Sequence, residues 1–161
     1  MKKVIVIGCP GAGKSTFARK LAVKTGLPLL YLDMIWHRAD RTVIGREEFD
    51  KRLDKLVKED EWIIDGNYAR TLPIRLAYCD TVLFFDIPLE VCIEGAKSRI
   101  GKERVDMPWV DDKMDPEFMQ WIMDFPRDVV PEIEHHLRDF DKTVVRFHSR
   151  GEADVFIESL K

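Results

Sequence analysis

No stretch of this 161-residue chain approaches the roughly 18 consecutive apolar residues of a membrane span, so a helical membrane protein is not expected. Near the start an apolar stretch of only Val4–Ile7 precedes Gly8 and Pro10, which does not fit a signal peptide. Cysteine is scarce. Cys9, Cys79 and Cys92 form no CxxC pair and no zinc-type cluster, which leaves a reduced, cytoplasmic protein as the simplest expectation. There is no basic tail and no run of five or six like charges, and the net charge of −3 is spread along the chain. Strong direct nucleic-acid binding needs a concentrated basic face and is therefore not expected. Internal repeats, low-complexity tracts and interdomain linkers are also missing, so residues 1–161 read as a single domain. What is present, 45% hydrophobic and 34% charged residues, suffices for an ordinary globular core.

The patterning alternates between two periods. Lys3–Ile7, Pro28–Leu32, Glu61–Asp65, Thr81–Phe85 and Thr143–Phe147 are short apolar or β-branched runs that read as strands. Between them, Phe17, Ala18, Leu21 and Ala22 recur at helical spacing, as do Phe49, Leu53, Leu56 and Val57. A further helix opens at Pro88 with Leu89, Cys92, Ile93, Ala96 and Ile100 on one side. Residues 101–114 are polar and carry Gly101 and Pro108, so a mobile loop is expected there. Asp115 and Pro116 then restart a helix as cap and first-turn residue, Pro126 and Pro131 kink or divide it, and Glu152–Leu160 closes the chain as a helix. Strands alternating with helices predict an α/β fold with a parallel sheet.

GCPGAGKS at 8–15 satisfies G-x-x-x-x-G-K-[ST] between a predicted strand and a predicted helix, the context that makes this motif specific. Gly8, Gly11 and Gly13, with Ala12 between them, let the backbone curl so that its N–H groups point at a phosphate. The helix from Lys14 adds the positive end of its dipole. In such a loop Lys14 reaches the β- and γ-phosphates, Ser15 ligates Mg²⁺, and Thr16 completes the ATP-binding run. No N/T-K-x-D string for guanine exists, and the chain is short for a mechanical ATPase, which leaves a small phosphotransferase.

Later segments carry a resemblance. EWIIDGNYART at 61–71 and DTVLFFDIPLEVCIEGAKSR at 80–99 resemble the adenylate-kinase strands that end in an acidic residue. With LDMIW from Leu32 and WIMDFPRDVVP, most of the chain resembles adenylate-kinase-related P-loop kinases, and among them the bacterial group labelled DNA topology modulation proteins. The resemblance implies the nucleoside-monophosphate-kinase fold, a five-stranded parallel sheet in order 2-3-1-4-5, a lid at about 101–114 and an acceptor-binding segment at about 33–60. There are departures. Asn67, Tyr68 and Ala69 stand where adenylate kinases place a proline before the arginine, the lid lacks cysteines, and Trp36, His37, Arg38 and Arg41 follow Asp33. Adenylate kinase itself is therefore not the expectation, and the acceptor is open.

Candidate roles follow. Asp65 ends an apolar strand and is the Walker-B-like carboxylate for Mg²⁺, with Asp86 as the other choice. Asp33 ends the second strand at the sheet's carboxyl edge and is expected as a base or a binding residue. Arg70 and Arg75 are the acceptor-side cations, since a guanidinium grips phosphate or carboxylate bidentately, and Trp36 is a candidate stacking ring. The resemblance implies that lid arginines, here Arg99, Arg104 and Arg127, cover the transferring phosphoryl group. Trp121, spaced with Phe118 and Phe125, reads as core, and His135 with His136 as surface. The base of ATP is expected near 149–152. The sequence therefore predicts an ATP- and Mg²⁺-dependent phosphotransferase, monomer or homodimer, acting on a nucleoside, nucleotide or similar metabolite. The alternative is a nucleotide-binding regulator of DNA topology.

Overall fold

Five apolar runs pair into one parallel sheet in the computed structural model, which describes residues 1–161. The strands are β1 (Lys3–Gly8), β2 (Leu29–Tyr31), β3 (Trp62–Asp65), β4 (Thr81–Phe85) and β5 (Thr143–Phe147), in the order β2-β3-β1-β4-β5. Val4 is aligned with Ile63 on one side and Thr81 on the other. Helices cover both faces of a parallel sheet, which is why β3 and β4 are buried along their whole length while the edge strand β5 begins exposed. The expected fold class and strand order are the ones found.

Eight helices complete the chain: α1 (Lys14–Thr25), α2 (Leu32–Trp36), α3 (Arg46–Val57), α4 (Leu72–Tyr78), α5 (Leu89–Lys97), α6 (Pro116–Asp128), α7 (Val130–Leu137) and α8 (Arg150–Ser159). Phe17 of α1 packs edge-on against Phe85, with ring centroids 5.1 Å apart, and Phe147 and Phe156 close the same cluster. These rings fix α1 and α8 against the end of the sheet where the phosphate loop leaves β1. No helix is long and apolar enough to cross a membrane.

One local expectation needs correction. The second strand stops at Tyr31, and Leu32–Trp36 turns into the short helix α2, so Asp33 lies in a first helical turn instead of at a strand end. The pattern over 69–78 carries no helical period, yet a single turn at Ala69–Thr71 leads into α4. That helix has only two turns and buries Arg75 between Leu72 and Leu76, so its polar–apolar pattern is broken by a charged core residue. Pro126 is accommodated inside α6 and the helical stretch divides at Val129, with Pro131 in the first turn of α7 where its missing N–H costs nothing. Residues 101–114 carry neither helix nor strand, as expected.

Candidate active site

The phosphate loop is shaped by close backbone approaches that only glycine permits. A Cβ on Gly11 (φ +82°) would lie 1.9 Å from the carbonyl oxygen of Cys92 in α5, and one on Gly8 (φ +142°) 2.5 Å from that of Phe85. Within the chain the N–H groups of Gly13, Lys14, Ser15 and Thr16 have no acceptor, which is the donor set of an anion cradle at a helix N-terminus. Lys14 Nζ donates to the carbonyl of Cys9 at 3.0 Å, folded over the loop. Burial lowers its pKa, opposed first by the nearby carboxylate of Asp65. Two side chains that the sequence reading does not single out brace this loop. Arg150 donates to the carbonyls of Gly11 (2.6 Å) and Ala12 (3.2 Å), and Asn67 clips Gly8 by accepting from its N–H (2.9 Å) and donating to its carbonyl (2.8 Å).

Beside Lys14, the Ser15 hydroxyl lies 2.6 Å from Asp65 Oδ2 and 2.9 Å from Oδ2 of Asp106, which comes from the 101–114 segment. Asp65 is buried and its Oδ1 has no hydrogen-bond partner. Burial raises its carboxyl to about 6 from the usual 3.8, against the pull of Lys14. Burial acts the same way on Asp106, but the Arg104 guanidinium and Ser15 outweigh it and hold that carboxyl below its ordinary value. No three His, Cys, Asp or Glu side chains are grouped as a closed metal cage. Two carboxylates and a hydroxyl next to a phosphate cradle nonetheless fit Mg²⁺, which keeps several waters and shares its coordination with phosphates.

Two cavities flank the loop. The smaller, about 300 Å³, lies over Gly11, Gly13 and Thr16 and reaches Arg150 and Asp154 of α8, where the base of ATP is expected. The larger, about 660 Å³, is lined by Lys14, Ser15, Asp65 and Asp33 together with His37, Met107, Trp109 and Trp121. Arg99 lines both cavities and is half-buried, and its guanidinium makes no hydrogen bond or ion pair within the chain. Burial and the neighbouring Arg104 lower its pKa. Asp33 Oδ1 accepts from the Tyr68 hydroxyl at 2.7 Å. Tyr68 is held in a left-handed conformation (φ +39°), and burial together with the Asp33 charge raises its phenol pKa. The 101–114 segment spans this cavity: Trp109 meets His37 edge-on at 4.9 Å and Arg41 at 5.5 Å, while Arg41 donates to the Val110 carbonyl.

The expected residues thus divide. Lys14, Ser15, Asp33, Asp65, Arg99 and Arg104 converge on the large cavity. Arg70, Arg75, Trp36 and Arg127 do not line it. Arg70 is exposed and forms a two-pronged pair with Asp50 at 2.7 and 3.0 Å. Arg75 has no exposed surface and donates to the carbonyls of Gly66, Asn67 and Tyr68, so it shapes the loop that carries Asn67 and Tyr68; burial lowers its pKa to about 10. Trp36 packs edge-on against Phe49, and Arg127 projects into solvent beside Asp124 and Asp128. Trp121, expected in the core, is 41% exposed on the cavity wall. Asp86 turns away toward Arg146 and His148 of the β5 end. Asp106 carries no spacing signal in a polar loop, and Asn67 and Tyr68 stand in the sequence only as departures from a motif.

No protein-family model matches the chain. It is 30% identical over 127 aligned residues to the adenylate kinase of Mycobacterium leprae, strains Br4923 and TN, with 60% of this chain and 70% of the relative covered. Among solved structures it is similar to shikimate kinase from Acinetobacter baumannii in complex with shikimate, with a TM-score of 0.60 at 17% identity, covering 100% of this chain and 96% of that one. A sugar kinase from Janibacter sp. HTCC2649 aligns with a TM-score of 0.57 at 19% identity, over 98% and 91% of the two chains. Those structural likenesses speak for the fold, and none of these proteins carries a DNA topology label. With its phosphate loop, its sheet order and this relative in agreement, the chain belongs to the adenylate kinase family of P-loop kinases.

Proposed function

We propose that this protein transfers the γ-phosphoryl group of ATP, with Mg²⁺, to a hydroxyl of a small metabolite. One observation carries the choice of acceptor. Asp33 shares a cavity with Lys14 and Ser15 and is oriented by Tyr68 through Oδ1, which leaves Oδ2 to accept a proton. The two arginines expected to grip an acceptor phosphate are elsewhere, Arg70 on Asp50 and Arg75 in the core, while Arg99 and Arg104 sit nearer the phosphate loop's Ser15 and Asp65. The names of the relatives agree in class, since kinases of a nucleotide, of shikimate and of a sugar are all ATP-dependent kinases of small molecules.

In this reading the N–H groups of residues 13–16 hold the β- and γ-phosphates. Lys14 exchanges the Cys9 carbonyl for a phosphate oxygen, and Arg99 covers the transferring group from between the two cavities. Mg²⁺ held by Ser15 and Asp65 would neutralise charge on the phosphate oxygens. Asp33 takes the hydroxyl proton, the acceptor oxygen bonds to the γ-phosphorus, the bond from that phosphorus to the bridging oxygen breaks, and ADP leaves. Regulation of DNA topology is not favoured, given the net charge of −3 and a cavity of metabolite size.

The test is ADP release over a panel of hydroxyl metabolites, nucleosides and nucleoside monophosphates. The expected result is a hydroxyl acceptor for which Asp33→Asn lowers kcat by about 10²–10⁴-fold, the usual worth of a positioned base. A nucleoside monophosphate as the best acceptor, together with an unchanged kcat in Asp33→Asn, would overturn it.

A further inference from the structure

One serine hydroxyl stands between two carboxylates. Ser15 Oγ is 2.6 Å from Asp65 Oδ2 and 2.9 Å from Asp106 Oδ2, and a hydroxyl has a single proton to donate. It satisfies one carboxylate, so the other contact sets a lone pair of Oγ against a carboxylate oxygen. Arg104 compensates Asp106, with Nε 3.1 Å from Oδ1 and Nη2 2.6 Å from Oδ2, the oxygen that also faces Ser15. Nothing equivalent serves Asp65. It is 5% exposed, its Oδ1 is unpartnered, and Lys14 beside it donates to the Cys9 carbonyl and makes no hydrogen bond to Asp65. Electron-rich oxygens that converge while a buried one stays unpaired describe a place shaped for a hard cation.

We propose that Asp106 is a lid-carried arm of the Mg²⁺ site, joining Ser15 and Asp65 around one divalent cation directly or through its water. This rests on the reading of the site as Mg²⁺-dependent. It goes beyond that reading by making cation binding and the position of the 101–114 segment one equilibrium. Besides Asp106, this segment is tied down by Trp109 and Val110 on His37 and Arg41 and by Met114 against the core, and it has no helix or strand. A cation that binds with Asp106 in place favours the closed segment by the ratio of its affinities for the two positions. Arg104 then sets how tightly Asp106 is drawn away from the cation.

The experiment uses the nucleotide-free protein and Mn²⁺ as a paramagnetic probe, with Mg²⁺ as competitor. Asp106→Asn should weaken Mn²⁺ binding by about tenfold or more, the scale at which carboxylates around a metal act. Arg104→Gln keeps the carboxylate and frees it from the guanidinium, and it should leave binding equal to the wild type or tighter. In hydrogen exchange, the cation alone should slow exchange across 101–114 in the wild type and not in Asp106→Asn. Equal Mn²⁺ affinity in wild type and Asp106→Asn, or equal weakening in both variants, overturns the proposal. Loss of this linkage while hydroxyl metabolites are still phosphorylated would sink the lid arm alone. Intact linkage with no hydroxyl acceptor would sink the kinase reading alone.

Discussion

The two sides of the site are built from different materials. The nucleotide side is backbone: glycines pressed against Phe85 and Cys92, free N–H groups, and carbonyls pinned by Arg150. The acceptor side is side chain: Tyr68 on Asp33, Trp109 on His37, and aromatic residues from the 101–114 segment and α6 around a cavity of about 660 Å³. A site made of backbone tolerates almost no change in shape, and it serves any substrate that carries the same phosphates. One made of side chains on irregular segments can be refitted residue by residue, which suits the half that selects the acceptor.

The sharpest way to break this contrast is Gly11→Ala. Positive φ and a Cβ 1.9 Å from a carbonyl in α5 should together cost about 3–5 kcal/mol and abolish ATP binding, as read by urea unfolding and nucleotide titration. A loss under about 1 kcal/mol would show that the loop can move aside and that its shape is not fixed by packing.

Asp65→Asn should act in the opposite direction on the nucleotide-free protein. Its carboxyl titrates at about 6 when folded and 3.8 when not, so the folded state holds the proton more tightly. The contribution of this carboxyl to stability is greatest below pH 3.8, falls as pH rises toward about 6, and then levels. Each tenfold difference in proton affinity between the two states is worth about 1.36 kcal/mol. The variant therefore removes a penalty of up to about 3 kcal/mol at pH 7, less what the lost Ser15 contact contributes. Paired urea curves at pH 4 and pH 7 check this: the variant should gain on the wild type only at the higher pH. A gain at both would place its cause outside this carboxyl.

The smallest effect should come from Arg70→Ala. The residue pairs with Asp50 at the surface, where such contacts are worth little, so kcat and KM for the true acceptor should change less than about twofold. A large rise in KM would return Arg70 to the acceptor side and narrow the contrast.

How legible each half is in the sequence follows from the same materials. Gly8, Gly11, Gly13 and Lys14 are readable because backbone curvature admits few residue types, so the constraint is written as a motif. The sheet order follows from the family resemblance together with strands that end in acids. Asp33 and Asp65 are visible as carboxylates near strand ends, although α2 begins before Asp33. Arg70 and Arg75 show what spacing does not carry. Arginine types a position as cationic, but whether the fork faces a cavity, a surface aspartate or three backbone carbonyls is decided by α4, whose two turns are too few for periodicity to reveal. Asp106 is hidden for a related reason, since a loop without periodicity gives no face on which to place a side chain.

Arg150 joins the first loop of the chain to its last helix, reaching carbonyls 138 and 139 positions away in sequence. Contacts of such separation form late, because the entropy of closing the intervening chain must be met first. On a ribosome the phosphate-binding motif emerges before α8, yet the peptide planes that aim its N–H groups gain their brace only once α8 has docked beside Phe17. The brace therefore cannot form until the chain has been made through Arg150, well after the motif it supports.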